Sequence, residues 1–236
     1  MTAAEVTKAL RAHASAEDAV FLQRFFKTGE GEYGAGDVFI GVRVPATRAV
    51  CKQFKELPLT EIQKLLDSNV HEYRLAALIL LGNKYAKADP ATQKQIYTLY
   101  LQNVAAGRVN NWDLVDSSAE LIVGPYLEDR PREPLARLAK SDNLWQKRVA
   151  MVSTFYYLKH GDPVTTIEIA EILLHDPNDL IQKAVGWMLR EMGKKVDEEV
   201  LIDFLEKHAA TMPRTMLRYA IERLSPTQKA HFMAVK

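Results

Sequence analysis

Apolar residues recur at three- and four-residue spacing along most of the chain, and no long alternating run of β-branched residues interrupts them. That periodicity predicts an all-α fold. Residues 2–27 read as two helices split near Ala14-Ser15, with Ser15 as cap and Glu17 and Asp18 in the first turn. Residues 28–44, rich in glycine, form the one non-helical segment, a loop insertion. Pro45 suits the first position of a helix that runs to about Lys55. Beyond it the pattern is helical, with breaks at Pro58, Asp89-Pro90, Gly107, Gly124-Pro125, Asp129 to Pro131, Gly161 to Pro163, Asp176-Pro177 and Pro213.

The helical pattern repeats. The stretch from Leu144 to Met151 recurs as Leu180 to Trp187, 36 residues on, and another 36 on comes Met216 to Ile221. The stretch from His71 to Leu78 lies 73 residues before Leu144, about two periods. A period of this length with two helices per unit predicts a curved α-solenoid of HEAT-like repeats, about six antiparallel helix pairs in a single domain over 1–236. In each unit a polar or basic pair precedes an apolar run of small residues, which lets neighbouring helices approach closely. The basic residues then recur on one side of the stack, where a solenoid presents its concave surface.

Candidate chemistry concentrates in Asn110-Asn111-Trp112-Asp113-Leu114-Val115-Asp116-Ser117. Asn111 suits a helix cap, which puts Trp112 and Asp113 in the first turn. An acid there complements the helix dipole and needs no further reason. Asp116 follows Leu114 and Val115, shares a face with Trp112, and is partly shielded beside an indole.

Composition narrows the field. Apolar residues make up 47% and charged residues 26% of 236, the proportions of a soluble globular protein, and the net charge is +1. Wholesale electrostatic binding to nucleic acid is not indicated, although a local basic face remains open. The single cysteine, Cys51, precludes an intramolecular disulfide, suits a reducing cytoplasm, and falls in an amphipathic helix as a buried residue. No apolar run reaches membrane-spanning length, and no signal-peptide pattern opens the chain. Gly29-Glu30-Gly31-Glu32-Tyr33-Gly34 matches the glycine spacing of a dinucleotide loop, but it follows a helix and carries two glutamates that would repel phosphate. The six histidines show no metal spacing, and no cofactor or metal is expected.

Three motifs together carry a specific resemblance. They are Trp112-Asp113-Leu114-Val115-Asp116-Ser117, then Ser141 to Arg148, then Ile181 to Glu191. In order and spacing they resemble the DNA alkylation repair family of AlkD-like HEAT-like repeat proteins, over about residues 40 to 225. The resemblance implies a DNA glycosylase that removes positively charged alkylated purines, such as 3-methyladenine and 7-methylguanine, from double-stranded DNA. It implies Asp116 as the catalytic carboxylate, Trp112 and Trp187 as aromatic walls, and Arg148 as a DNA contact beside them. It implies further that no deep pocket encloses the damaged base. A monomer, the default, is expected in the cytoplasm, at the bacterial nucleoid. Phe25 stands where the family's glycosylases carry a tyrosine, so the ring is kept and a hydroxyl is lost. The recurrence of basic residues adds Arg43, Arg74, Lys147, Lys183 and Arg190 as candidates for the phosphate backbone.

Every one of these residues also has a plain structural role open to it. Trp112 and Trp187 suit a core, Asp116 suits an ion pair, and the basic positions suit a solvated face. A non-catalytic binder of DNA structures, or a helical-repeat scaffold for protein partners, fits the same sequence.

Overall fold

The structure, a computed structural model, describes residues 1–235. It is all-helical, with sixteen α-helices and one isolated bridge, Val38 to Val70, among the described residues. Two compact units divide the chain, Met1–Ile122 and Val123 onward.

The first unit holds α1 (Ala3–Arg11), α2 (Ala16–Phe25), α3 (Val44–Gln53), α4 (Leu59–Leu66), α5 (His71–Tyr85), α6 (Pro90–Ala105), α7 (Trp112–Asp116) and the start of α8 (Ala119–Tyr126). Ser15 caps α2, accepting from the Asp18 backbone N–H at 3.2 Å, and Pro45 lies in the first turn of α3, which opens at Val44. At the centre is α5, packed against α3, α4, α6 and α7. Every residue of it except Asn83 and Lys84 is buried, as a helix apolar on all faces requires. Its first turn nevertheless carries His71, Glu72 and Arg74, buried polar groups that need partners.

The segment between α2 and α3 supplies several of those partners. Glu72 accepts from three consecutive backbone N–H groups, those of Ile40 at 3.1 Å, Gly41 at 2.8 Å and Val42 at 3.2 Å. The Val38 N–H donates to the Asn69 carbonyl at 3.0 Å, and the His71 N–H donates to the Val38 carbonyl at 2.9 Å. Gly41 turns the chain at φ +80°, and a Cβ there would lie 2.0 Å from the Ser15 carbonyl oxygen. Only glycine satisfies both demands.

The second unit continues with α9 (Glu133–Ala139), α10 (Leu144–Ser153), α11 (Phe155–Lys159), α12 (Val164–Ile172), α13 (Asp179–Lys195), α14 (Glu198–His208), α15 (Arg214–Ala220) and α16 (Pro226–Ala234). The helices α10, α13 and α15 pack in succession, α9 packs on α10 and α12, and α12 and α14 pack on α13. The repeated motif marks the beginnings of α5, α10, α13 and α15. Sixteen helices exceed six pairs partly because α7 and α8 are split at Ser117-Ser118, and α10 and α11 at Thr154. Small residues bring the helices close, as expected. A Cβ on Gly186 would lie 2.4 Å from the Met216 carbonyl oxygen, and one on Gly124 would lie 2.4 Å from the Tyr156 Cβ. Cys51 is wholly buried beneath α5, where burial pushes its thiol up to about 12.

Candidate functional site

The five residues of α7 depend on their flanks for stability, because so short a helix has little of its own. Asn111, fully buried, caps it by accepting from the Trp112 N–H at 2.9 Å. Leu114 and Val115 face the core with no exposure. Ser118 Oγ donates to the Leu114 carbonyl at 2.6 Å and lies 3.1 Å from the Tyr100 hydroxyl. These contacts leave Trp112 and Asp116, one turn apart, on the half-buried face. The negative charge of Asp116 reaches the fully buried Tyr100, whose phenol is raised first by that burial and then by Asp116.

Asp113 has another task. Its Oδ2 lies 2.8 Å from His71 Nε2, and His71 Nδ1 lies 3.1 Å from Asp37 Oδ2. An ionised carboxylate only accepts, so an imidazole that meets one at each ring nitrogen donates from both and is an imidazolium. Burial works against that charge, but the Asp113 carboxylate and the hydrogen bonds His71 donates to Asp113 and Asp37 outweigh it and raise the His71 pKa. Arg74 Nη2 pairs with Asp37 at 2.7 Å, and Asn110 donates to Asp37 at 3.2 Å. Burial would raise the Asp37 carboxyl, yet His71, Arg74 and Asn110 together hold it below the usual carboxylate range. One buried polar chain thus joins the loop at Asp37, the start of α5 and the start of α7.

Aromatic rings cover this chain. Phe26 stacks on Trp112 with centroids 5.2 Å apart and on Phe39 at 5.1 Å, and Phe39 stacks on His71 at 4.4 Å. Phe25 meets Trp112 edge-on at 5.9 Å and stacks on Phe21 at 6.0 Å. Phe21, Phe25, Phe26, Phe39, Trp112 and Asp113 line a cavity of about 430 Å³ that also includes Arg43. The Arg43 guanidinium sits 5.0 Å from the Phe21 ring centre and 2.5 Å from Asp18.

The structure therefore brings Phe25, Arg43 and Trp112 together at one cavity. Arg74 lies elsewhere: it is buried and committed to Asp37, Asn110 and the Ser68 carbonyl, so it holds the start of α5 in place. His71, Asp37, Glu72, Phe26 and Phe39 were not singled out by sequence. A polar cluster opening an otherwise apolar helix is the signal that could have found His71 and Glu72.

In the second unit Arg148 is 5% exposed, and its Nη1 donates to the Leu180 carbonyl at 2.7 Å. Lys147 pairs with Asp176 at 2.7 Å, Lys183 with Asp179 at 2.6 Å, and Arg190 with Glu191 at 3.0 Å and also with Glu222. Trp187 is half-buried, with its ring centre 6.0 Å from that of Phe155. Trp145 is buried. Among the described residues no group of three or more His, Cys, Asp or Glu side chains is placed to hold a metal ion, and no helix is long and apolar enough to cross a membrane.

Among solved structures, one described as "Predicted DNA alkylation repair enzyme from Enterococcus faecalis" matches with a TM-score of 0.70 and 18% identity, over 91% of this chain and 98% of that one. At that identity the likeness shows a shared fold. No curated protein matches. The profile of the family described as DNA alkylation repair enzyme matches residues 6–224, nearly the whole chain, and the protein belongs to that family.

Proposed function

We propose that the protein is a monofunctional glycosylase that hydrolyses the N-glycosidic bond of cationic alkylpurines, 3-methyladenine and 7-methylguanine, in duplex DNA. The observation that carries this is the face of α7, where a half-buried indole and a half-buried carboxylate sit one turn apart in a chain of the alkylation repair family. An N-alkylated purine bearing a formal positive charge is a good leaving group and needs no general acid. The C1′–N bond breaks, its electron pair neutralises the departing base, and an oxocarbenium-like sugar forms. Asp116 stabilises that charge and orients the water that adds to C1′ and sheds its proton to solvent, the logic of glycoside hydrolysis with one carboxylate instead of two. The Trp112 ring face favours the same cationic sugar.

Trp187 and Arg148 are assigned their parts, aromatic wall and DNA contact, by the resemblance of their motifs. Lys147 and Lys183 are each engaged by a carboxylate. That supports water, rather than a lysine amine, as the nucleophile.

Methylated duplex DNA incubated with the protein, and assayed for free 3-methyladenine and 7-methylguanine, tests the proposal. Wild type should release base above the spontaneous rate, and Asp116→Asn should lower release by about one to three orders of magnitude. Binding of undamaged duplex should not fall with it. Release at the spontaneous rate by wild type would end the catalytic reading.

A further inference from the structure

We infer that His71 is a positioning residue for base excision: through Asp113 on one side and the stacked rings of Phe39 and Phe26 on the other, its imidazolium fixes where α7 presents Trp112 and Asp116. This deepens the glycosylase reading and rests on it.

Two routes lead from His71 to the face of α7. The first runs along the backbone. Asp113 Oδ2 lies 2.8 Å from His71 Nε2, and Asp113 directly follows Trp112 in the first turn of α7. A helix of five residues takes its orientation from such contacts rather than from its own hydrogen bonds. The second route runs through rings. The centre of His71 lies 4.4 Å from that of Phe39, Phe39 5.1 Å from Phe26, and Phe26 5.2 Å from Trp112, with interplanar angles of 21°, 15° and 19°. A charged imidazole is drawn to the ring face it rests on. His71 thus acts on the indole both from its backbone and from its face.

The arrangement is a costly one, which points to a use. Asp113 Oδ1 is buried without a hydrogen-bond partner, and the His71–Asp37 pair is buried on both sides. Apolar side chains of the same size often stabilise a fold as well or better. Both routes depend on the charged ring, because a neutral imidazole donates from one nitrogen only. Among the described residues His71 is the one hydrogen-bond partner of the Asp113 carboxylate. The neutral ring can serve it only by turning a lone pair to Asp37, and the attraction to Phe39 goes in either case. The other charged groups at this end of α5 are engaged elsewhere: Arg74 pairs with Asp37, Glu72 accepts from the loop backbone, and Arg43 pairs with Asp18.

The test follows the full-length protein from about pH 6 to about pH 9. It measures single-turnover excision of 7-methylguanine from a one-lesion duplex, duplex binding by anisotropy, and Trp112 emission as the difference between wild type and Trp112→Phe. His71→Gln, folded by circular dichroism, should excise about fivefold more slowly, with duplex affinity changed by less than about twofold. Asp37→Asn removes one of the two charges that hold the proton and touches neither Trp112 nor Asp116. It should move the alkaline fall in excision, and the change in Trp112 emission with it, to lower pH than in wild type. A histidine that served folding alone would lower the urea midpoint in both variants. It would leave the excision rate of the folded protein and the pH profile as in wild type, and that result overturns the inference. Should one variant fail to fold, the other decides. Trp112 emission keeps the failures apart, since it needs no catalysis. Emission that titrates while wild type releases no base removes the glycosylase and leaves the positioning of Trp112. Excision with the wild-type rate and profile in the variants does the reverse.

Discussion

His71, with a carboxylate at each ring nitrogen, makes the stability of the first unit depend on pH from two sides. The folded protein holds the imidazolium proton more tightly than the unfolded chain, whose value is near 6.5. The stabilisation is therefore complete below 6.5 and is lost as pH rises through the higher folded value. Asp37 behaves oppositely: its contribution is present above the ordinary 3.8 and is lost as pH falls through the lower folded value. Urea midpoints measured across both windows should fall at each end, and His71→Gln should remove the alkaline fall. The same histidine changes what Asp113 is. By sequence it was an acid complementing a helix dipole, and its loss would cost tenths of a kcal/mol to about 1. With His71 at 2.8 Å it is a half-buried ion-pair member, so Asp113→Asn should cost about 1–3 kcal/mol in urea unfolding and lower excision far less than Asp116→Asn does. The i, i+4 relation of Trp112 and Asp116 was legible because it is local. The His71 relay was not, since its members lie at 37, 71 and 113 and only the fold brings them together.

Among the elements, the loop before α3 departs furthest from its appearance in sequence. Its glycines and glutamates mark it as an insertion outside the helical pattern, yet it is stitched to α5 through Glu72 and to α2 through Gly41. Gly41→Ala should cost several kcal/mol, measured as a large drop in thermal midpoint, because the new methyl meets backbone and φ is positive. Gly186→Ala should act likewise on the second unit by forcing α13 from α15, where the added carbon meets the Met216 carbonyl oxygen. Helices, caps at Ser15 and Asn111, and the repeat were all readable, for each is written within a few residues or in a fixed period. How deeply α5 is buried was not, because that depends on which helices surround it.

Across the whole molecule, the recurring basic residues turn out to be spoken for. Arg43, Lys147, Lys183 and Arg190 each face a carboxylate, in keeping with a net charge of +1. A cation that keeps its carboxylate neutralises little phosphate charge. Binding to duplex DNA should therefore weaken gently with salt, with a log–log slope of about −2 to −4, measured by fluorescence anisotropy over a salt series. A slope near −10 would mean that DNA displaces the carboxylates wholesale. Cys51 has a use at this scale as well. Wholly buried, with its thiol pushed up to about 12, it should stay silent to maleimide at neutral pH. The native chain is thus already a blank background for site-directed labelling: one cysteine introduced in each unit carries a donor and an acceptor dye, and energy transfer between them reports on DNA engagement one molecule at a time.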